Sequence, residues 1–427
     1  MPDHPPEPHT PRPPSGKGEL ALVMGGGGAR AAYQVGFLRA LARFEPNLEI
    51  PIITGVSAGA INAVHLASHG GSFREAVEDL AELWESLTVD QVFNVDPRFL
   101  LSNAMRWGLQ LASGGLGHPP AIQSLVDTAP LRRFLERALE EREGEIPGIR
   151  EKIDSGRLKA LAISTSSYTT GQSVTWIQGR EIREWTRPQR QARLTSIGLD
   201  HVMASAALPL FFPAVRIGDH WYGDGGIRLT APLSPALHLG AHRLLAISTR
   251  FARLEKECDR SLIEGYPPPA QVIGSLMNSI FLDLLDQDAL RAEAMNDLLR
   301  RIPPEGRGGM RIVKLLTMRP SRDLGQLADD FELRLPRLFR FLMRGLGTKE
   351  TRSPDLLSFL LFEPGYLRLM MEIGELDADA RMGEVRELLH PRSRTRAPLD
   401  PEVNRAPSPG RLSKEKRGRP PPSKTFE

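Results

Sequence analysis

Between residues 20 and 250, short apolar runs alternate with stretches in which apolar side chains recur every three to four positions. The runs Leu20–Met24, Ile50–Thr54, Leu158–Thr165 and Leu244–Ser248 have the length and continuity of strands buried on both faces. The intervening periodicity predicts helices over Ala31–Arg43, Ala58–His69 and Phe73–Leu87. This order predicts an α/β protein with a mostly parallel central sheet covered by helices. After residue 252 the texture changes to long amphipathic stretches, notably Ala270–Arg301, with one further strand-like run at Arg311–Met318.

The ends differ from this body. Residues 1–18 hold seven prolines and no apolar segment of the kind that directs secretion, so they read as a disordered Pro-rich lead. From Pro391 to Glu427 there are ten Lys/Arg, four Asp/Glu and eight prolines, which predicts a disordered basic tail. The net charge of +3 therefore belongs to the tail, and the remaining chain is slightly acidic. No nucleic-acid partner is expected on that balance. The organisation expected is one α/β domain over 19–252, with a mainly helical region over 253–390 that completes or caps it. A single cysteine, Cys258, excludes an internal disulfide framework, and no stretch of about eighteen apolar residues offers a membrane span. The chain is expected in the cytoplasm, with peripheral association at the inner membrane surface as an additional reading.

Candidate chemistry begins at GVSAG, residues 55–59. A serine between glycines, after a strand and before a helix, is the setting of a nucleophile elbow. Gly55 and Gly59 leave room for the turn, and the helix start behind Ser57 favours negative charge on an attacked carbonyl oxygen. A second constellation, GGGGAR at 25–30, also joins a strand to a helix, so Gly25 to Gly28 can turn several N–H groups toward one anion. Gly26-x-Gly28-x-x-Ala31 also satisfies a dinucleotide-binding pattern, but the second strand ends in Gly55-Val56-Ser57 and lacks the acidic residue that pattern needs. His65 and His69 lie about 12 and 18 Å along the same helix from Ser57, too far to take its proton. Asp224, in YGDGG at 222–226, is a candidate partner; the alternative is that Asp224-Gly225 forms a hairpin turn.

GGGGAR at 25–30, GVSAG at 55–59, ASAALPLFFP at 204–213 and YGDGG at 222–226, in this order, resemble the patatin-like phospholipases over about residues 20–250. The resemblance implies a three-layer α/β/α sandwich with a helix-rich C-terminal region. It also implies a Ser57–Asp224 dyad supported by Gly55, Gly59, Gly225 and Gly226, and an oxyanion hole from Gly26, Gly27 and Gly28 with Arg30 beside it. Ala31 departs from the glycine common at that position. The activity implied is a serine lipid acyl hydrolase, acting on phospholipid or another acyl ester through an acyl-enzyme, without cofactor or metal. Two alternatives are a Ser–Asp–His triad hydrolase using His238, His242 or His390, and a non-catalytic lipid-binding protein of the same fold. The Arg- and Leu-rich segment 331–347 can lie on an anionic membrane or pack on its own domain, with Pro336 confining its helix to the residues after it. Residues 99–117 can form a cap over the site or a core helix.

Overall fold

Ten strands form one sheet: β1 Glu19–Met24, β2 Ile52–Val56, β3 Ala160–Ser167, β4 Ser173–Gly179, β5 Trp185–Arg187, β6 Arg190–Leu194, β7 Val215–Ile217, β8 His220–Asp224, β9 Ala241–Ile247 and β10 Lys314–Met318. The structure is a computed structural model describing residues 19–94, 102, 105, 112–113, 124–252, 266–345, 347 and 355–391. Strand order is β10-β9-β1-β2-β3-β4-β6-β5, and the β7–β8 hairpin pairs with the end of β3. From β10 through β3 every pairing is parallel. The fold is thus mixed α/β with a mostly parallel central sheet.

The alternation of β1 builds the layers. Leu20, Leu22 and Met24 join one hydrophobic cluster with residues of α1 (Ala32–Phe44), α2 (Ala58–Ser68) and α3 (Phe73–Ser86). Ala21 and Val23 face the other cluster, which includes Leu233 and Ala236 beside Leu285 and Ala289. Further helices that bear on the site are α4 (Ala129–Ala138), α5 (Leu199–Ser205), α6 (Ser234–His238), α7 (Pro269–Phe281), α8 (Asp283–Arg300), α9 (Arg337–Gly345), α10 (Asp355–Leu360) and α11 (Pro364–Ala380).

Several elements differ from the sequence reading. Strands β4 to β8 went unread because they lie beyond the parallel core: β4 is largely buried but mixes Ser, Thr and Gln with its apolar residues, and β5 to β8 are short and partly solvated with Arg, Gln, Thr or His. The amphipathic stretch 270–301 is two helices that meet at Leu282, and this break lets Phe281 pack beside the site glycines. The hairpin turn lies at Gly218–Asp219, between β7 and β8, and Asp224 is the last residue of a strand. Within 331–347, α9 starts after Pro336. Arg344 pairs with buried Glu332, Arg334 with Glu363, and Arg340 donates to the Leu333 carbonyl, so these cations are engaged within the chain. Most of 99–117 lies outside the described residues. Among the described residues no helix is long and apolar enough to cross a membrane.

Helices α1 and α11 approach backbone to backbone. A methyl group on Gly36 would stand 1.9 Å from the Met371 carbonyl oxygen, and one on Gly374 would stand 2.2 Å from that of Tyr33. On an isolated helix Gly→Ala gains about 1 kcal/mol. At Gly36 overpacking opposes that gain by about 1–3 kcal/mol or more, because neither neighbour is a movable side chain. Gly36→Ala is therefore expected to lower stability in urea unfolding. Gly383→Ala, with open space around its position, should be neutral or stabilising by a few tenths of a kcal/mol. Equal effects at the two positions would contradict the close approach.

Candidate active site

Strand register brings the two sequence candidates together. Val56 on β2 lies opposite Ser164 on β3, and Thr165, the next residue of β3, pairs with Asp224 at the end of β8. Ser57 follows Val56 directly. It caps the N-terminus of α2 with φ 57° and ψ −133°, a left-handed backbone that a side chain makes costly by about 1–3 kcal/mol. The turn is held by Ser205, whose Oγ accepts from Ser57 N at 3.1 Å and donates to the Ser164 carbonyl at 2.7 Å. Asp224 N donates to Ala207 O at 3.0 Å, so the ASAALP segment grips both candidates.

The glycine loop closes the other side. Gly59 sits so close to β1 that a methyl group there would meet Gly25 O at 2.4 Å and Met24 O at 2.5 Å; Gly55 packs against the first turn of α2 in the same way. Gly26 faces Ser57, where a methyl group would be 3.1 Å from Ser57 Cβ. Gly27 abuts Thr249, whose hydroxyl donates to Gly26 O at 2.7 Å. Gly28, at φ 56°, lies under α10, with Phe359 O at 2.2 Å from a hypothetical methyl. Among the described residues, the N–H groups of Gly26, Gly27 and Gly28 donate to no other group. Gly225 and Gly226 follow Asp224, packed on the Ser164 carbonyl and the Phe281 ring.

Arg30 is placed behind this loop. Its Nε donates to Ser358 Oγ at 2.7 Å, an Nη2 donates to Asp355 Oδ1 at 2.6 Å, and the guanidinium lies 4.7 Å over the Phe359 ring. It therefore ties α10 to the loop from 325 residues away. A buried amide chain braces the loop from below: Trp84 Nε1 donates to Asn62 Oδ1 at 2.8 Å, Asn62 Nδ2 to Gln34 Oε1 at 3.0 Å, and Gln34 Nε2 to Gly25 O at 2.8 Å. These partners escaped the sequence reading. The available signal was Gln34 and Asn62 themselves, polar residues on helix faces that are otherwise apolar.

An apolar cavity of about 770 Å³, including its mouth, begins at Ser57 and Gly28 and is walled by α2, α3 and α4. Ser57 is 5% exposed and Asp224 fully buried. Burial pushes the Asp224 carboxyl up to about 7, against the lowering effects of the Ser57 hydroxyl and the Gly226 N–H. The Gly226 N–H donates to Oδ1 at 2.9 Å, whereas Oδ2 has no partner within hydrogen-bond geometry. The Ser57 hydroxyl is close enough to lower the carboxyl, without a formed hydrogen bond to Oδ2.

The histidines of the triad alternative stand elsewhere. His238 stacks on Trp185 and bonds Ser234, and His390 bonds Glu45. His242 lies at the start of β9, five residues or about 16 Å from Ile247, which is aligned with Met24 at the loop. Among the described residues there is no cluster of three His, Cys, Asp or Glu side chains able to hold a metal.

The structure thus sets a serine on a strained strand-to-helix turn, at the carboxyl edge of the parallel part of an α/β sheet and at the mouth of an apolar cavity. The patatin-like phospholipase family matches residues 22–237, half of the chain, and the chain belongs to that family. No functionally curated protein matches its sequence. Similar solved structures include VipD of Legionella pneumophila, 15% identical over 71% of this chain and 62% of that one, with a TM-score of 0.33. Human GIVD cytosolic phospholipase A2 in complex with methyl gamma-linolenyl fluorophosphonate is 14% identical over 87% and 58%, with a TM-score of 0.41. The type III effector ExoU of Pseudomonas aeruginosa is 14% identical over 83% and 54%, with a TM-score of 0.28. The chain thus spans 54–62% of the length of these three.

The titration of the buried groups yields a stability prediction. Folded Asp224 keeps a proton that the unfolded chain loses near pH 4, so its contribution is present below about 4 and lost as pH rises through about 7. His65, lowered to about 4 chiefly by burial, acts in the opposite direction between about 4 and 6.5. Wild-type stability alone therefore conceals both. Asp224→Asn removes the first contribution only, and should gain stability over wild type as pH rises from 5 to 8, by at most about 3 kcal/mol, since about two pKa units at 1.36 kcal/mol each fall in that window. Urea unfolding at the two pH values measures it; a variant-minus-wild-type difference independent of pH would show an ordinary carboxyl.

Proposed function

We propose that this chain hydrolyses carboxylic esters of phospholipid or another acyl lipid, with Ser57 as nucleophile and Asp224 as base. The observation that carries the reading is a serine in a strained turn beside a buried, incompletely bonded carboxylate, at the end of a cavity suited to an acyl chain. Ser57 Oγ attacks the ester carbon while Asp224 takes its proton. The carbonyl oxygen becomes the oxyanion and accepts from the free N–H groups of Gly26 to Gly28, with the positive end of α2 close by. Collapse expels the alcohol or lysolipid, which takes up the proton from Asp224. Asp224 then removes a proton from water as it attacks the acyl-enzyme, and the fatty acid leaves with Ser57 restored.

Burial explains how a carboxyl can act as a base here. An ordinary aspartate is too weak near neutral pH, whereas one that titrates at about 7 is matched to the task. The dyad needs neither histidine nor metal, since side chains supply the base and nucleophile and backbone supplies the charge stabilisation. Arg30 serves as a positioning residue for the loop, and α10 belongs to the same catalytic unit. Phospholipid is proposed from the family and the apolar cavity.

Hydrolysis of p-nitrophenyl butyrate, a monomeric ester, tests the reading. Ser57→Ala is expected to lower kcat/KM by at least about 10³-fold. Asp224→Asn should cause a loss of similar scale, and His238→Ala should stay within a few-fold of wild type. Wild-type kcat/KM should rise with pH to a plateau above about 7, because the base must be ionised. Retained activity in Ser57→Ala, or a large loss in His238→Ala, would reject the dyad.

A further inference from the structure

A second cavity lies beyond the far end of the apolar one. On α2 its lining runs Ser57, Ala58, Ile61 and His65, one stripe of the helix at the spacing of successive turns. Helix α3 runs alongside in the opposite sense: Trp84 bonds Asn62, Ala76 bonds His65, and Asp79 bonds His69. Helix α4 supplies the third wall, ending at Ala138. One turn further along the same helices lies a second cavity of about 990 Å³, including its mouth. It is polar, lined by Ser68, His69, Asp79, Arg142 and Glu151 among others. His65, Ala138 and Leu139 line both cavities and form the partition between them.

His65 is held firmly in that position. Its Nε2 stands 3.1 Å from the Ala76 carbonyl and must carry the proton to donate to it. The ring is 5% exposed and its neighbour His69, 5.9 Å away, is paired with Asp79. Burial keeps the imidazole neutral at physiological pH, so the channel ends in a polar but uncharged plate. Eight residues separate Ser57 from His65, a rise of about 12 Å, which is the extended length of an acyl chain of about ten carbons.

We propose that His65 is the stop that sets acyl-chain length, closing the apolar channel against a polar vestibule into which the channel would otherwise open. The idea rests on the acyl-hydrolase reading, because the ester must be at Ser57 for distance along α2 to measure the chain. Chains up to the stop gain apolar burial with each methylene; longer ones must bend or leave their ends in water. Removing the imidazole joins the two cavities and lets a longer chain pass straight through. His65 would then be a specificity-determining residue that takes no part in the chemistry.

Binding and turnover separate this idea from the function it builds on. In a Ser57→Ala background, free fatty acids of eight to eighteen carbons are titrated by displacement of a fluorescent fatty acid; in chains retaining Ser57, the matching p-nitrophenyl ester series is hydrolysed. Affinity is expected to level off near ten carbons with His65 present. With His65→Ala the levelling should move past ten carbons, because longer chains no longer bend at the stop, raising the sixteen-to-ten ratio severalfold in both assays. His65→Gln, whose amide can still donate to Ala76 O, should retain the original profile. Ala138→Phe narrows the same partition from α4 and should shift the preference to shorter chains, which keeps the test available should His65→Ala fail to fold. An unchanged profile in folded His65→Ala, or a failure of every fatty acid to bind, overturns the stop. Ser57-independent ester hydrolysis would reject the dyad instead, while the fatty-acid titration still reads the stop.

Discussion

The backbone of Ser57 is the constraint around which the rest is arranged. Locally, only its carbonyl is bonded, accepting from Ala60 N–H; the side chain makes no capping bond to α2, and the N–H donates to Ser205. The contacts that hold it are remote in sequence. Ser205 bridges it to β3, Gly59 lets α2 press onto the carbonyls ending β1, and Gly26 leaves space for the serine side chain. A bulkier residue at either glycine would push one element away and allow the turn to relax. Strain of this size persists only where surrounding packing fixes it from several directions, and here it leaves a hydroxyl facing a cavity mouth.

The same economy of space explains the role of the C-terminal segment. Gly28 is overlaid by the Phe359 backbone, and Arg30 reaches from the loop to Asp355 and Ser358. A guanidinium this buried requires partners, and α10 provides a carboxylate, a hydroxyl and an aromatic face. The contact fixes the glycine loop from above while the Trp84–Asn62–Gln34 chain fixes it from below. Three N–H groups are thereby kept oriented and unbonded, a condition that a flexible loop in water would not maintain.

Electrostatics follow from the dryness that packing creates. Asp224 has few hydrogen bonds and no cation among the influences that set its titration, so the cost of burying its charge dominates. His65, farther down the same helix-lined channel, is neutral for the corresponding reason with the opposite sign. One apolar channel thus carries a carboxyl that releases its proton late and an imidazole that refuses one.

Much of this was legible along the chain. The apolar runs that became β1, β2, β3, β9 and β10, the glycines before α1, and the elbow at Ser57 are local patterns, set by periodicity and by residues that cannot be replaced in tight turns. Position along the chain could not show which carboxylate meets Ser57. That depended on β8 pairing antiparallel with the end of β3, a register fixed by contacts between segments 59 residues apart. Nor could it show that Arg30 is spent on Asp355, that Ser205 holds the turn, or that α2, α3 and α4 line one cavity that includes Ser57 and His65. Those facts depend on which side chains share a buried space, and burial decides whether a carboxyl keeps its proton toward neutral pH, what an arginine must bond to, and whether an imidazole stays neutral.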